Sequence, residues 1–159
     1  MKTRYLKLII AALVIAIIGI AYAATQLSIQ NTGTVILGNK NFQGITFSPP
    51  ASQPNCATQS TYGDGGGTGT LTPIAWGSIV QGSSSTAYIC VKNADGAGQT
   101  YSVTTGSLSP STGITVNYNG TATLNSPPQS SSGTSLIIVT VSVASSVPVG
   151  PFSYTTTIG

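Results

Sequence analysis

Histidine and glutamate are absent from this chain of 159 residues, and its acidic side chains are Asp64 and Asp95 alone. General acid–base catalysis needs groups that titrate near the working pH and stand close together. A serine nucleophile needs a base beside it, and only lysines are on offer. Both aspartates fall in Gly-rich turns, where aspartate is an ordinary turn former, so a carboxylate pair for glycoside hydrolysis would have to be built from two loop residues. Composition therefore points away from an enzyme. Cys56 and Cys90 cannot complete a tetrahedral metal site without histidine or glutamate. Asp64 followed by three glycines offers too few hard oxygens for a calcium loop. No cofactor, metal or small-molecule substrate is expected.

Charge of either sign is scarce: 4% of residues are charged, against roughly 25% in an ordinary soluble domain. Three of the five basic residues, Lys2, Arg4 and Lys7, sit at the N-terminus ahead of an uncharged run from Leu8 to Ile20. Ala21-Tyr22-Ala23 before Ala24 completes the pattern of a secretory signal, with cleavage expected after Ala23. Two other readings stand beside this one. The apolar run could stay as an anchor, at the short end of the roughly 17–25 residues a spanning helix needs. It could also be a pilin-type leader cut before the run, although Leu8 is a large residue for that position. Without residues 1–23 the chain keeps Lys40 and Lys92 against Asp64 and Asp95, a formal net charge of zero. Two lysines cannot displace a phosphate counterion atmosphere, so nucleic acid is excluded as a partner. Membrane contact is expected only through the leader before cleavage.

Helical periodicity is missing after the leader. In its place stand period-two alternation, β-branched and aromatic residues, and frequent Gly, Pro, Ser and Asn punctuation. Leu27, Ile29, Gly33, Val35 and Leu37 share one face of an extended first segment, with the polar or small Asn31 and Gly33 in its middle. Phe42–Ser48 reads as a second strand, ended by Pro49-Pro50, and residues 51–70 as a long loop. Leu71–Val80 carries Ile74 and Trp76 up to a turn at Gln81-Gly82. Further strands are expected at Thr86–Lys92, Thr100–Thr104 and Ile114–Tyr118. Leu136–Val143, the most apolar, is expected at a sheet centre with Ile137, Val139, Val141 and Val143 inward. A last strand carries Phe152, Tyr154 and Ile158. Seven or eight short strands spell an all-β chain with a single antiparallel, immunoglobulin-like β-sandwich.

An even cysteine pair in an exported chain predicts a Cys56–Cys90 disulfide, the alternative being two buried thiols. Closing that loop should stabilise the fold by about 4 kcal/mol. Lys40 and Lys92 lie near Asn39, Asn41 and Asn93, so a Lys–Asn isopeptide bond stands beside the simpler reading of two solvated lysines that blunt a sheet edge. Asn119-Gly120-Thr121 is an N-glycosylation sequon in an expected turn.

Three stretches carry a family likeness: WGSIVQG (Trp76–Gly82), STAYICVKN (Ser85–Asn93) and the closing PVGPFSYTTTI. They resemble the module of small archaeal surface β-sandwich proteins. A leader followed at once by the amphipathic strand TQLSIQNTGTVIL resembles the subunits of archaeal thread filaments and, more distantly, archaeal bundling pili and bacterial biofilm-fibre proteins. The resemblance implies donor-strand complementation. Residues 24–38 would be a tail that enters the groove of a neighbour's 39–159 head domain, with Leu27, Ile29, Val35 and Leu37 in successive pockets and Gly33 where backbones approach closely. The partner is then the chain itself, polymerised head to tail in a secreted surface filament for adhesion, cell–cell contact or biofilm cohesion. The alternative is a monomeric or membrane-anchored surface module whose residues 27–37 complete their own sandwich.

Acid unfolding works by protonating carboxylates that are ionised in the native state, and this chain has two. Its thermal midpoint should therefore barely change between neutral pH and about pH 2; a marked fall over that range contradicts the expectation.

Overall fold

The structure is a computed structural model that describes residues 31–38, 41–64, 69–94, 98–119, 122–124, 133–146 and 150–159. The expected leader, Leu27, Ile29, Lys40 and Asp95 lie outside the described residues. Ten strands follow in chain order: β1 (Thr32–Leu37), β2 (Phe42–Phe47), β3 (Ile74–Ala75), β4 (Ser84–Asn93), β5 (Gln99–Tyr101), β6 (Val103–Ser109), β7 (Ile114–Tyr118), β8 (Ala122–Leu124), β9 (Thr134–Val143) and β10 (Ser153–Ile158). A 3₁₀ turn, Cys56–Thr58, lies between β2 and β3.

Two sheets of four strands result, ordered β3-β1-β10-β6 (sheet A) and β2-β4-β9-β7 (sheet B), with β5 and β8 as a separate pair. The alternation of β9 explains its central place. Ile137, Val139 and Val141 are fully buried on one face, and β9 pairs antiparallel with β4 over nine residue pairs and with β7 over five. On β4 the inward set is Ala87, Ile89 and Val91, all fully buried. Residues of both sheets join one core, with Val35, Ile74, Tyr154 and Ile158 from sheet A meeting Phe42, Val91, Val139 and Val141 from sheet B. A polar link also joins the layers, since the Tyr118 hydroxyl of β7 and Thr156 Oγ1 of β10 lie 2.7 Å apart. The arrangement fits a β-sandwich.

The two sheets hold eight strands, within the expected seven or eight, and the separate β5–β8 pair brings the count among the described residues to ten. Two expectations need correcting. The pairing is not antiparallel throughout, because β1 and β10 run parallel over six pairs. The expected strand Thr100–Thr104 is two strands, because the chain leaves β5 and joins sheet A at Ser102. There Ser102 exchanges two backbone bonds with Gly159, at 2.8 and 3.1 Å, and its hydroxyl donates to the same carbonyl at 3.0 Å. A strand that changes partners at one residue keeps its period-two pattern, so alternation alone does not reveal the break.

The long loop is secured on the outer side of sheet B. Cys90 points away from the core on β4 and is nonetheless fully buried, because the Cys56–Cys90 disulfide, with Cα atoms 5.4 Å apart, draws the loop over it. Further along, Gly63 and Gly44 exchange backbone bonds of 2.7 and 3.0 Å, so the loop also covers the edge of β2. Leu71 then presses on Gly44, where a side chain would overlap its Cδ1.

Candidate functional site

The strand expected to carry function is an interior member of sheet A. On one side β1 follows β10 from Thr32↔Ser153 to Leu37↔Ile158. On the other it meets β3 at Thr32↔Ala75 and Gly33↔Ile74, and the chain between Gly69 and Leu71 continues that edge. The Leu71 N–H donates to the Val35 carbonyl at 2.9 Å, and the Trp76 N–H to the Asn31 carbonyl at 2.9 Å. The result is a slot with β10 as one wall and residues 69–76 as the other.

Parity decides which side chains face into it. Gly33, Val35 and Leu37 are buried, as their shared face requires, while Thr32 is exposed and Thr34 and Ile36 are half-buried. Burying Val35 and Leu37 contributes about 2 kcal/mol each. Gly33 lies flat beneath the Tyr154 ring. A methyl group at Gly33 would stand 2.8 Å from Tyr154 Cε1 and nearer still to Cζ and the hydroxyl, so the ring occupies the space a side chain would need. Trp76 holds that ring in place by donating from Nε1 to the Tyr154 hydroxyl at 3.0 Å. Phe152 stacks along it with centroids 6.4 Å apart.

Asn31 has a role that the strand pattern alone does not assign. It is only 5% exposed. Its Nδ2 donates to the Gly77 carbonyl at 2.7 Å, and its Oδ1 accepts from the Phe152 N–H at 3.0 Å. One amide thus clamps the slot's two walls to the start of β1. The signal was present, since 31 continues the odd series 27, 29, 33, 35, 37. A polar residue at an inward position requires buried partners, and here it has them. Among the described residues no buried side-chain polar atom lacks a partner.

The other candidate residues lie elsewhere and do not converge. Lys92 is on the outer face of β4 with Nζ 5.7 Å from the centre of the Tyr62 ring. Its neighbour Asn93 is buried on the opposite face, so alternation separates that Lys–Asn pair. Asn119 is exposed at the end of β7. Its Nδ2 donates to the Leu136 carbonyl at 2.9 Å and its Oδ1 accepts from the Ile138 N–H at 3.1 Å, so the amide adds one rung to the β7–β9 ladder. Gly120 and Thr121 of the sequon lie outside the described residues. Shallow clefts at residues 53–57 with 134–136, and at 82–84 with Gly113, Thr115 and 142–144, are lined by uncharged side chains. Among the described residues there is no group of three potential metal ligands, and no helix is long and apolar enough to cross a membrane. Comparison of the chain with protein families, curated proteins and solved structures finds no match.

Tyrosines make the alkaline limb the sensitive one. Burial pushes Tyr62 up to about 12. Burial also raises Tyr101, against the opposing Ser135 hydrogen bond. Tyr154 is lifted well above its usual range by burial and then by Tyr118, with the Trp76 bond opposing. In the unfolded chain these phenols ionise near pH 10. Above that pH the unfolded state holds fewer protons than the native one, so stability falls as pH rises; below it this contribution is fully present. The denaturant midpoint should be level up to about pH 9 and drop from about pH 10 upward, less steeply in Tyr154→Phe. A midpoint that holds level to about pH 12 contradicts this.

Proposed function

We propose that the chain is the structural subunit of an extracellular cell-surface filament, in which the N-terminal strand of one subunit fills the sheet-A slot of the next. The observation that carries this reading is the interior position of β1. Without it β10 presents an open edge along six residues, β3 has no strand partner in sheet A, and the Tyr154 ring loses the surface it covers. A strand that comes from the chain's own N-terminal segment can come from another copy with the same contacts, main-chain bonds giving affinity and inward side chains specificity. Residues 38–41 join β1 to β2 in the other sheet, so exchange of β1 between copies leaves the strand order of the rest of the fold in place. Such a contact is heterologous and leaves a free slot at one end and a free strand at the other, and it propagates as a fibre.

The rest of the chain suits that role. A cleavable leader directly before the strand would tether it at the membrane until export. An immunoglobulin-like sandwich with a neutral polar surface and one disulfide is a durable part outside a cell, fit for adhesion, cell–cell contact or biofilm cohesion. One observation favours a second reading. In the single chain β1 sits in its own slot, as it would in a monomeric or membrane-anchored surface module.

Negative-stain microscopy of the mature chain, residues 24–159, separates the two. Fibres are expected from the mature chain and none from a chain that begins at residue 38. Mature chain that stays monomeric at every concentration sinks the filament reading.

A further inference from the structure

The slot is not a uniform groove that takes any apolar strand. Its four inward positions set three different requirements. At position 31 the Phe152 N–H and the Gly77 carbonyl need a group that both accepts and donates. At 33 the Tyr154 ring, held by Trp76, leaves no room for a β-carbon. At 35 and 37 the walls close around Val35, fully buried, and Leu37.

A slip of one residue turns Thr32, Thr34 and Ile36 inward, so only slips of two keep the apolar face in place. Sliding one way sets Gly33 at the amide position and drives the Val35 side chain into the Tyr154 ring. The Phe152 N–H and the Gly77 carbonyl then both lose their partner. Sliding the other way puts the Asn31 amide against the ring, sets Ile29 where the amide belongs, and leaves a void in place of Val35. Each slip fails at position 31 and at position 33 together.

We propose that Asn31 and Gly33 form a register key, so that the slot accepts the N-terminal strand of a second copy of this chain in one register and rejects strands lacking an amide and a glycine two residues apart. The intermolecular part of that selectivity rests on the filament reading, whereas the key itself acts on β1 wherever the strand comes from. The inward asparagine thereby has a function that packing alone would not give it. A hydrophobic residue at 31 would bury as much area and specify nothing. The polar clamp trades some hydrophobic stabilisation for a single alignment, as a buried polar residue does where strands or helices could pair in several registers.

The test has two arms. In the first, thermal midpoints are measured for four mature chains: the parent, Gly33→Ala, Tyr154→Val and the double variant. Gly33→Ala should lower the midpoint by on the order of 10 °C in the parent and by less than half as much beside Tyr154→Val, where the ring is gone. Equal losses in the two backgrounds overturn the key. In the second arm, synthetic peptides of residues 24–38 carrying a photoreactive group are offered in excess to the assembling parent chain. The native peptide should be captured, and the Asn31→Ala and Gly33→Ala peptides at least ~10-fold less, about 1.4 kcal/mol of discrimination or more. Equal capture of all three overturns the key. Capture of none, with no fibres from the parent, defeats the filament reading, and the midpoint cycle then decides the Gly33 half of the key. Asn31→Ala, added to the same measurement, should lower the midpoint, and an unchanged midpoint overturns the Asn31 half.

Discussion

Six parallel residue pairs between the first and last strands hold sheet A together. Among the described strands this is the one pairing that no hairpin could make, because parallel neighbours need a long connection. Here the whole domain is that connection. Its consequences spread from the ladder outward. β3, two residues long, is held in the sheet by β1. The loop from Gly69 to Leu71 closes over the far edge of the strand. The Tyr154 ring packs against Phe152 and Trp76 and fills the space that a side chain at Gly33 would need. A domain that pairs its own N-terminal segment with its last strand offers the same contacts to another copy's, and the proposed filament uses that exchange.

The scarcity of charge shapes how everything else is held. With few ionic groups available, the connections that tie the sheets and the slot together are neutral: amide to backbone at Asn31 and Asn119, hydroxyl to hydroxyl between Tyr118 and Thr156, indole to phenol between Trp76 and Tyr154. Neutral hydrogen bonds are little affected by salt, and they contain no carboxylate for acid to protonate. The buried phenols are the exception, and they confine the pH sensitivity of the fold to the alkaline side. One disulfide adds a covalent anchor where the long loop crosses sheet B. These properties suit the proposed role of a structural part outside a cell.

Much of this could be read from residues alone where a strand has one buried and one open face. The inward sets of β4 and β9 follow from alternation, the central position of β9 from its apolar richness, and the cysteine pairing from an even count. Gly33, Val35 and Leu37 fall on the buried face as their parity demands. What escaped depends on tertiary partners. The alternation from Thr100 to Thr104 is unbroken although the chain changes sheets at Ser102, because a change of partner leaves side-chain parity intact. Leu71–Val80 contributes only the two residues of β3, since Trp76 and its neighbours serve as a wall of the slot rather than as a strand. β6, from Val103 to Ser109, is longer than its Thr-Thr-Gly-Ser sequence suggests, and it bulges where the β10 register shifts between Tyr154 and Thr156. The outward Cys90 is buried only because a loop covers it. Asn31 was visible as a polar residue on an apolar face, but its meaning lay in Phe152, 121 residues away.

Whether the strand in the slot belongs to the same chain or to the next is the point on which the functional account turns. Fibres grown from an equal mixture of heavy- and light-isotope chains, with a photo-crosslinking residue in place of Thr34, address it directly. Thr34 stands opposite Thr155 of β10 and on the outward face of β1, so the probe does not disturb the packing beneath. After irradiation and digestion, mass spectrometry of the β1–β10 crosslink should find heavy–light pairs about as often as same-isotope pairs. Crosslinks that join only segments of one isotope would mean that each chain fills its own slot, and the account of strand exchange would be wrong.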